Sequence, residues 1–209
     1  MVFWLRGWGK FEIRNQKYEV FGARRAWGDE RGSGLLSRLG RCKSGGFHME
    51  EPIIDLESDA YFMGEALRQA RKAFKADEVP VGAVIAREGV IIARAFNQVE
   101  TLKDATAHAE MLAITQAESA MGDWRLTDCD LYVTKEPCPM CAGAIVHVRL
   151  RRVIFGCPDP KSGGAGGLFN ILQNPALNHR CELTPGVKIE ECRAILREFF
   201  LGKRKEPDQ

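Results

Sequence analysis

His108-Ala109-Glu110 and, further along, Pro137-Cys138-Pro139-Met140-Cys141 constrain this chain more than any other residues do. One imidazole and two thiolates supply three ligands for a zinc ion, and zinc with three protein ligands keeps a fourth position for water. Two well-separated stretches must therefore converge on one point. Cys138 and Cys141 are three apart at a predicted helix start, so their sulfurs face one way. His108 comes from another helix start. Two helix N-termini aimed at one point add partial positive charge and favour thiolate over thiol. Glu110, two residues past the histidine, is the acid needed to move protons on and off the water, and it is not expected to ligate the metal.

The pattern around these residues alternates helix and strand. Ser58 is a candidate N-cap, and Phe62, Ala66, Ala70 and Phe74 recur at fourfold spacing, which predicts an amphipathic helix over about 59–75. Val81 to Ala86 and Val90 to Ala95 read as strands around Glu88-Gly89, a hairpin-like pair. Residues 98–105 read as a polar loop, and 107–120 as a helix with His108 and Glu110 in its first turn. Leu131 to Thr134 and Arg152 to Phe155 are short strands, with a helix from Pro139 to Val148 between them. A glycine-rich segment, Ser162 to Gly167, follows, and Glu190 to Arg204 forms a closing helix. This alternation predicts an α/β layered sandwich with the sheet covered on both faces.

Cys-x-x-Cys alone also fits a thioredoxin-like redox pair or half of a structural zinc knot. A redox pair needs no upstream His-x-Glu at a helix start, and a structural zinc wants a fourth ligand. Cys129, Cys157, Cys181 and His147 are in the chain but lack ligand spacing to the first three. With Cys42 and Cys192, the remaining cysteines are most simply buried or incidental thiols. No apolar run reaches membrane-spanning length and no export signal stands out, so the expected compartment is the cytoplasm.

Of the 209 residues, the first 48 differ from the rest: they hold ten Lys/Arg against four Asp/Glu, a net of +6, while 49–209 hold twenty against twenty-four, a net of −4. Glycine-rich segments such as Arg31-Gly32-Ser33-Gly34 and the lack of periodicity predict a disordered N-terminal extension over 1–48. Met49 is the expected working start, and 49–209 are expected to form one zinc-dependent domain. A basic arm adding nucleic-acid affinity is the alternative reading of 1–48.

H-x-E followed by P-C-x-x-C is the known signature of zinc nucleobase deaminases. The likeness extends further. Val79-Pro80-Val81-Gly82-Ala83-Val84, Thr106-Ala107-His108-Ala109-Glu110, Leu131-Tyr132-Val133-Thr134 and Glu136-Pro137-Cys138 through Ala142-Gly143-Ala144 resemble bacterial tRNA-specific adenosine deaminases. So do Asp159-Pro160-Lys161-Ser162-Gly163 and Asn178-His179-Arg180, and the similarity runs from about residue 58 to about 205. The resemblance implies a cytidine deaminase-like fold, a three-layer α/β/α sandwich with a mixed five-stranded sheet. It also implies a homodimer that converts adenosine to inosine at the wobble position of an arginine tRNA anticodon, with one zinc per subunit.

Position by position, the resemblance makes His108, Cys138 and Cys141 the zinc ligands and Glu110 the proton shuttle. Asn97 matches an asparagine that contacts the target nucleoside, Val81 an apolar residue packing on the flipped base, and Asp159 an acidic residue near the ribose. Phe200, Lys203 and Arg204 fall on a helix that touches the anticodon loop in the family, where an aromatic beside cations makes a stacking platform. Arg149, Arg151, Arg152, Lys161 and Lys205 are further candidate phosphate contacts. An adenine is open to attack at C6 only when unstacked, and an anticodon loop supplies splayed bases. DNA is not an expected partner. Lys135 departs from the pattern, since a family member can carry an apolar residue there. Two other readings keep the same ligands: a zinc deaminase of free guanine or cytosine, and a non-catalytic zinc-stabilised RNA-binding module.

Overall fold

The computed structural model describes residues 58–204. The expected extension over 1–48, the start at Met49 and the cation Lys205 lie outside the described residues.

Ser58 caps α1 (Asp59–Lys75) as expected, its hydroxyl accepting the Tyr61 N–H at 3.2 Å. The hairpin pairs β1 (Gly82–Arg87) with β2 (Val90–Phe96), antiparallel, through Glu88 and Gly89 at φ 50° and 75°. Positive φ at both turn residues matches the right-handed twist of the flanking strands. After β2 comes a short helix, α2 (Val99–Leu102), ended by Lys103 in the left-handed region at φ 52°. The polar loop expected over 98–105 therefore contains one helical turn. Next come α3 (Ala109–Met121), β3 (Cys129–Lys135), α4 (Pro139–His147) and β4 (Arg152–Cys157). β5 (Glu182–Pro185) and α5 (Ile189–Lys203) complete the described chain.

The sheet order is β2-β1-β3-β4-β5, antiparallel from β2 to β3 and parallel from β3 to β5. It is the expected mixed five-stranded sheet, although periodicity located only four of its strands. One helix start is also corrected. The helix expected from 107 begins at Ala109, so His108 is its N-cap rather than part of its first turn, whereas α4 begins at Pro139 as expected, with Cys138 as its N-cap. Pro139 follows Cys138, where a missing N–H costs nothing and the fixed φ favours helix initiation.

Strand alternation makes the three layers. Ala83, Ile85, Leu131, Val133, Val153 and Phe155 point to one face and pack with Ala109, Ala113 and Ala117 of α3 and Ile145 of α4. Val84, Ala86, Tyr132 and Ile154 point to the other and meet Phe62, Met63 and Ala66 of α1 and Cys192 of α5. Alanine at every fourth position of α3 lets that helix lie close to the sheet.

α1 approaches the sheet most closely at Gly82. A Cβ there would stand 2.1 Å from the Ala66 carbonyl oxygen and 2.4 Å from the Ala70 nitrogen, both backbone atoms of α1. Gly82→Ala should cost about 3 kcal/mol or more in urea unfolding, because a helix backbone cannot step aside as a side chain can. Gly143 has nothing within 4 Å of its notional Cβ. Gly143→Ala should be neutral or stabilising by up to about 1 kcal/mol, as expected in a helix.

Candidate active site

β2 ends, β1 begins and β3 ends at one edge of the sheet, and the N-termini of α3 and α4 reach the same place. His108 and Cys138 both sit at N-cap positions with extended backbone (φ −69°, ψ 152° and φ −72°, ψ 171°), and neither side chain caps its own helix. Both are free to turn toward each other. His108 Nδ1 lies 3.7 Å from Cys138 Sγ and 3.5 Å from Cys141 Sγ. The three donor atoms fall within 4.8 Å of one another, and this is the one such His/Cys/Asp/Glu group among the described residues. Cys141 is fully buried, while His108 and Cys138 are half-buried, so the set opens to one side. An imidazole nitrogen and two sulfurs suit a borderline-soft metal ion.

The electrostatics agree. A hydrogen bond from the Cys141 thiol, aided by His108, outweighs burial and holds the Cys138 thiol far below its usual range. The hydrogen bond to Cys138 in turn raises His108. Glu110, in the first turn of α3 and 4% exposed, has its carboxyl pushed up by burial.

These residues open into a cleft of about 830 Å³ lined by Val81, Asn97, His108, Glu110, Lys135 and Cys138, with Phe199 and Lys203 from α5. That volume is within the ordinary range for small-molecule sites. Asn97 is buried, its Nδ2 donating to Glu78 Oε2 at 3.1 Å and its Oδ1 having no partner among the described residues. Val81 is 9% exposed at the cleft wall.

Three of the six residues expected to contact substrate, Val81, Asn97 and Lys203, line the cleft. Asp159, Phe200 and Arg204 do not. Phe199 faces in and Phe200 faces out, the rings edge to face at 5.4 Å. Lys203 reaches Asp77 Oδ2 at 2.6 Å and lies 5.8 Å from the Phe199 ring centre. Arg204, the C-cap of α5, is exposed. Two candidate phosphate contacts are tied up elsewhere: Arg151 forms a two-pronged bond to Asp130 at 2.8 and 2.7 Å, and Arg152 binds Asp59 at 3.0 Å.

The sequence reading missed two buried carboxylates. Glu78, 1% exposed, accepts the N–H groups of Glu100 and Thr101 at 3.2 and 2.6 Å besides Asn97, and so anchors α2 at the cleft rim. Burial raises its proton affinity, but these donors outweigh it and the net shift is downward. Glu136, 3% exposed, accepts from the backbone of Asp159 (2.7 Å), Ala165 (2.9 Å) and Gly167 (2.8 Å) and pins the 159–167 loop beside Cys138. A Cβ on Gly163 would stand 2.3 Å from that carboxylate, which accounts for glycine there. The available signal was only a glutamate shortly before a proline, at Glu78-Val79-Pro80 and again at Glu136-Pro137; the charged Asp77 and Lys135 that precede them gave no sign of burial. Once buried, such a charge has to find donors.

The His/Cys/Cys group open to one side, the adjoining glutamate and the mixed sheet between helices make this chain a deaminase, and residues 57–204 match the family model of MafB19-like deaminases. Within that class it belongs to the tRNA-specific adenosine deaminases. It is 50% identical over 151 residues to the one of Bacillus subtilis, covering 72% of this chain and 94% of the relative. The Aquifex aeolicus enzyme is 52% identical over 142 residues, with 67% and 92% covered. A solved structure from work on A-to-I editing by tRNA:A34 deaminases at the wobble position of transfer RNA superposes with TM-score 0.63 at 43% identity, over 65% of this chain and 99% of that one.

Glu136→Ala should strip three N–H donors of their acceptor and loosen the 159–167 loop. The amides of Asp159, Ala165 and Gly167 should then exchange at least about tenfold faster, since each lost bond is worth roughly 1–3 kcal/mol, while β3 and β4 amides hold. Unchanged loop protection would contradict the anchoring role. Because Glu78 is depressed in the folded state, its stabilisation is complete above its ordinary value of 4.5 and is lost as pH falls through the lower folded value. The stability gap between the wild type and Glu78→Gln should therefore narrow in acid and stay constant near neutrality, as read from urea midpoints.

Proposed function

We propose that this protein hydrolyses the C6 amino group of adenosine at wobble position 34 of a tRNA anticodon, leaving inosine and ammonia, with an arginine tRNA as substrate. The observation that carries this is the convergence of His108, Cys138 and Cys141, with His108, Cys138 and the neighbouring Glu110 lining a cleft wide enough for an extruded nucleoside.

His108 Nδ1 and the sulfurs of Cys138 and Cys141 would hold one zinc per subunit. When bound there, zinc supplies Lewis acidity that makes a water ionisable near neutral pH. Glu110 accepts the proton the water gives up, delivers it to a ring nitrogen of the purine, and transfers a second to the departing amine. Its buried carboxyl, raised in proton affinity, can hold a proton between these steps. Asn97 orients the base: its Nδ2 is fixed by Glu78, which turns Oδ1 into a positioned acceptor for a base N–H. Val81 packs on the flipped purine. Lys203 at the cleft wall and Phe200 and Arg204 outside it meet the anticodon loop, a role supported by the exposure of Phe200 and Arg204.

The partners inferred are the anticodon stem-loop and a second copy of the chain, a homodimer whose contact would use exposed Leu168 and Phe169. A tRNA substrate argues for a cytoplasmic location. No helix among the described residues is long and apolar enough to cross a membrane.

Purified protein should contain about one zinc per chain. Stripping it with a chelator should abolish inosine formation, adding zinc should restore it, and His108→Ala or Cys138→Ser should lower the bound metal. Glu110→Gln should keep the zinc and the RNA affinity while turnover falls at least about 10²–10⁴-fold. A Glu110→Gln enzyme with wild-type turnover would remove the proton shuttle and favour a non-catalytic RNA-binding module.

A further inference from the structure

Lys135 ends β3 immediately before Glu136 and Cys138, and its side chain lines the cleft, 33% exposed. Its Nζ lies 2.5 Å from Asp159 Oδ2. Asp159 is fully engaged: Oδ1 accepts the N–H groups of Lys161 and Ser162 at 3.0 and 3.3 Å, and Oδ2 also accepts the Ser162 hydroxyl. A carboxylate offers about four acceptor positions and an ammonium three donors. Asp159 has a donor at each of its positions, is 12% exposed at its side chain, and does not line the cleft. Lys135 spends one donor on Asp159 and turns its remaining capacity toward the cleft.

We propose that Lys135 is a substrate-positioning cation, taking a backbone phosphate beside the target nucleotide, and that Asp159 holds this ammonium in place. This rests on the RNA reading above. A phosphate is favoured over a ribose hydroxyl because a contact between two charged groups is the stronger hydrogen bond. The apolar residue that a family member can carry at this position would make no such contact, so the site is tuned in this chain by one side chain. Glu136 fixes the Asp159 backbone N–H at 2.7 Å, so the loop, the carboxylate and the lysine form one connected support.

The test measures inosine formation and binding on an anticodon stem-loop with wobble A over roughly 50–300 mM salt, where phosphate contacts dominate the salt dependence. Lys135→Met should raise KM about fivefold at low salt, the strength of one ion pair in water, with kcat held within about twofold. It should also flatten the log–log salt slope by about 0.7, the value for one phosphate on a single strand. Lys135→Arg should keep the wild-type slope, as should Lys72→Met on the exposed face of α1. Asp159→Asn should raise KM less than Lys135→Met does, and the double variant should be no worse than Lys135→Met alone. An unchanged slope in Lys135→Met, or a fall in kcat at constant KM, would overturn the proposal. Lys135→Gln and thermal melts guard against a folding defect. Wild-type turnover tests the deaminase reading by itself, and the slope is read from Kd as well as KM, so the two failures are distinguishable.

Discussion

Two helices begin at the same point in space, and the rest of the structure serves to bring them there. His108 and Cys138 are N-cap residues whose side chains, having declined to cap their own helices, turn to face each other. Their positions depend on the sheet. β3 carries its last residue, Lys135, to the threshold of Cys138, and β1 pairs with β3 in a register, Ala83 opposite Val133, that places Val81 across the gap. The close approach of α1 at Gly82 fixes the outer side of that register. The metal-binding group is thus assembled from backbone starts held by strand pairing, which leaves little freedom to misplace it.

Three buried glutamates surround the cleft, and their partners separate their tasks. Glu78 and Glu136 each receive three N–H donors and act as anchors, one for α2 and Asn97 and the other for the 159–167 loop. Glu110 meets its own backbone amide and the Cys141 thiol, and burial dominates. A carboxyl that is buried yet short of donors has a raised proton affinity, the condition for a group that must take up and release a proton near neutral pH. Electrostatic environment, rather than residue type, distinguishes Glu110, the proposed shuttle, from the two anchoring glutamates.

Much of this was legible in the sequence because the chemistry is local. The Cys138/Cys141 spacing, the Ser58 cap, the Glu88-Gly89 turn and the helix over 59–75 each rest on residues within a few positions of one another. What escaped depends on distant partners. β5 has the composition of a polar edge, ends in a proline and becomes a strand only because β4 offers its backbone. α2 is one turn held by Glu78 from elsewhere in the chain. Arg151 and Arg152 read as a phosphate patch until Asp130 and Asp59 claim them. The Asp159 carboxylate is also held by Lys135 and by its own loop, which no local pattern reveals.

The most direct test of the central claim is substrate choice by the intact enzyme. Initial rates would be compared on an arginine anticodon stem-loop with adenosine at position 34, on a deoxyadenosine-containing single strand, and on free guanine. The account predicts inosine at position 34 of the stem-loop, with little product from the other two. Ammonia released from guanine with no inosine in the stem-loop would leave the metal-binding group intact and contradict the RNA assignment.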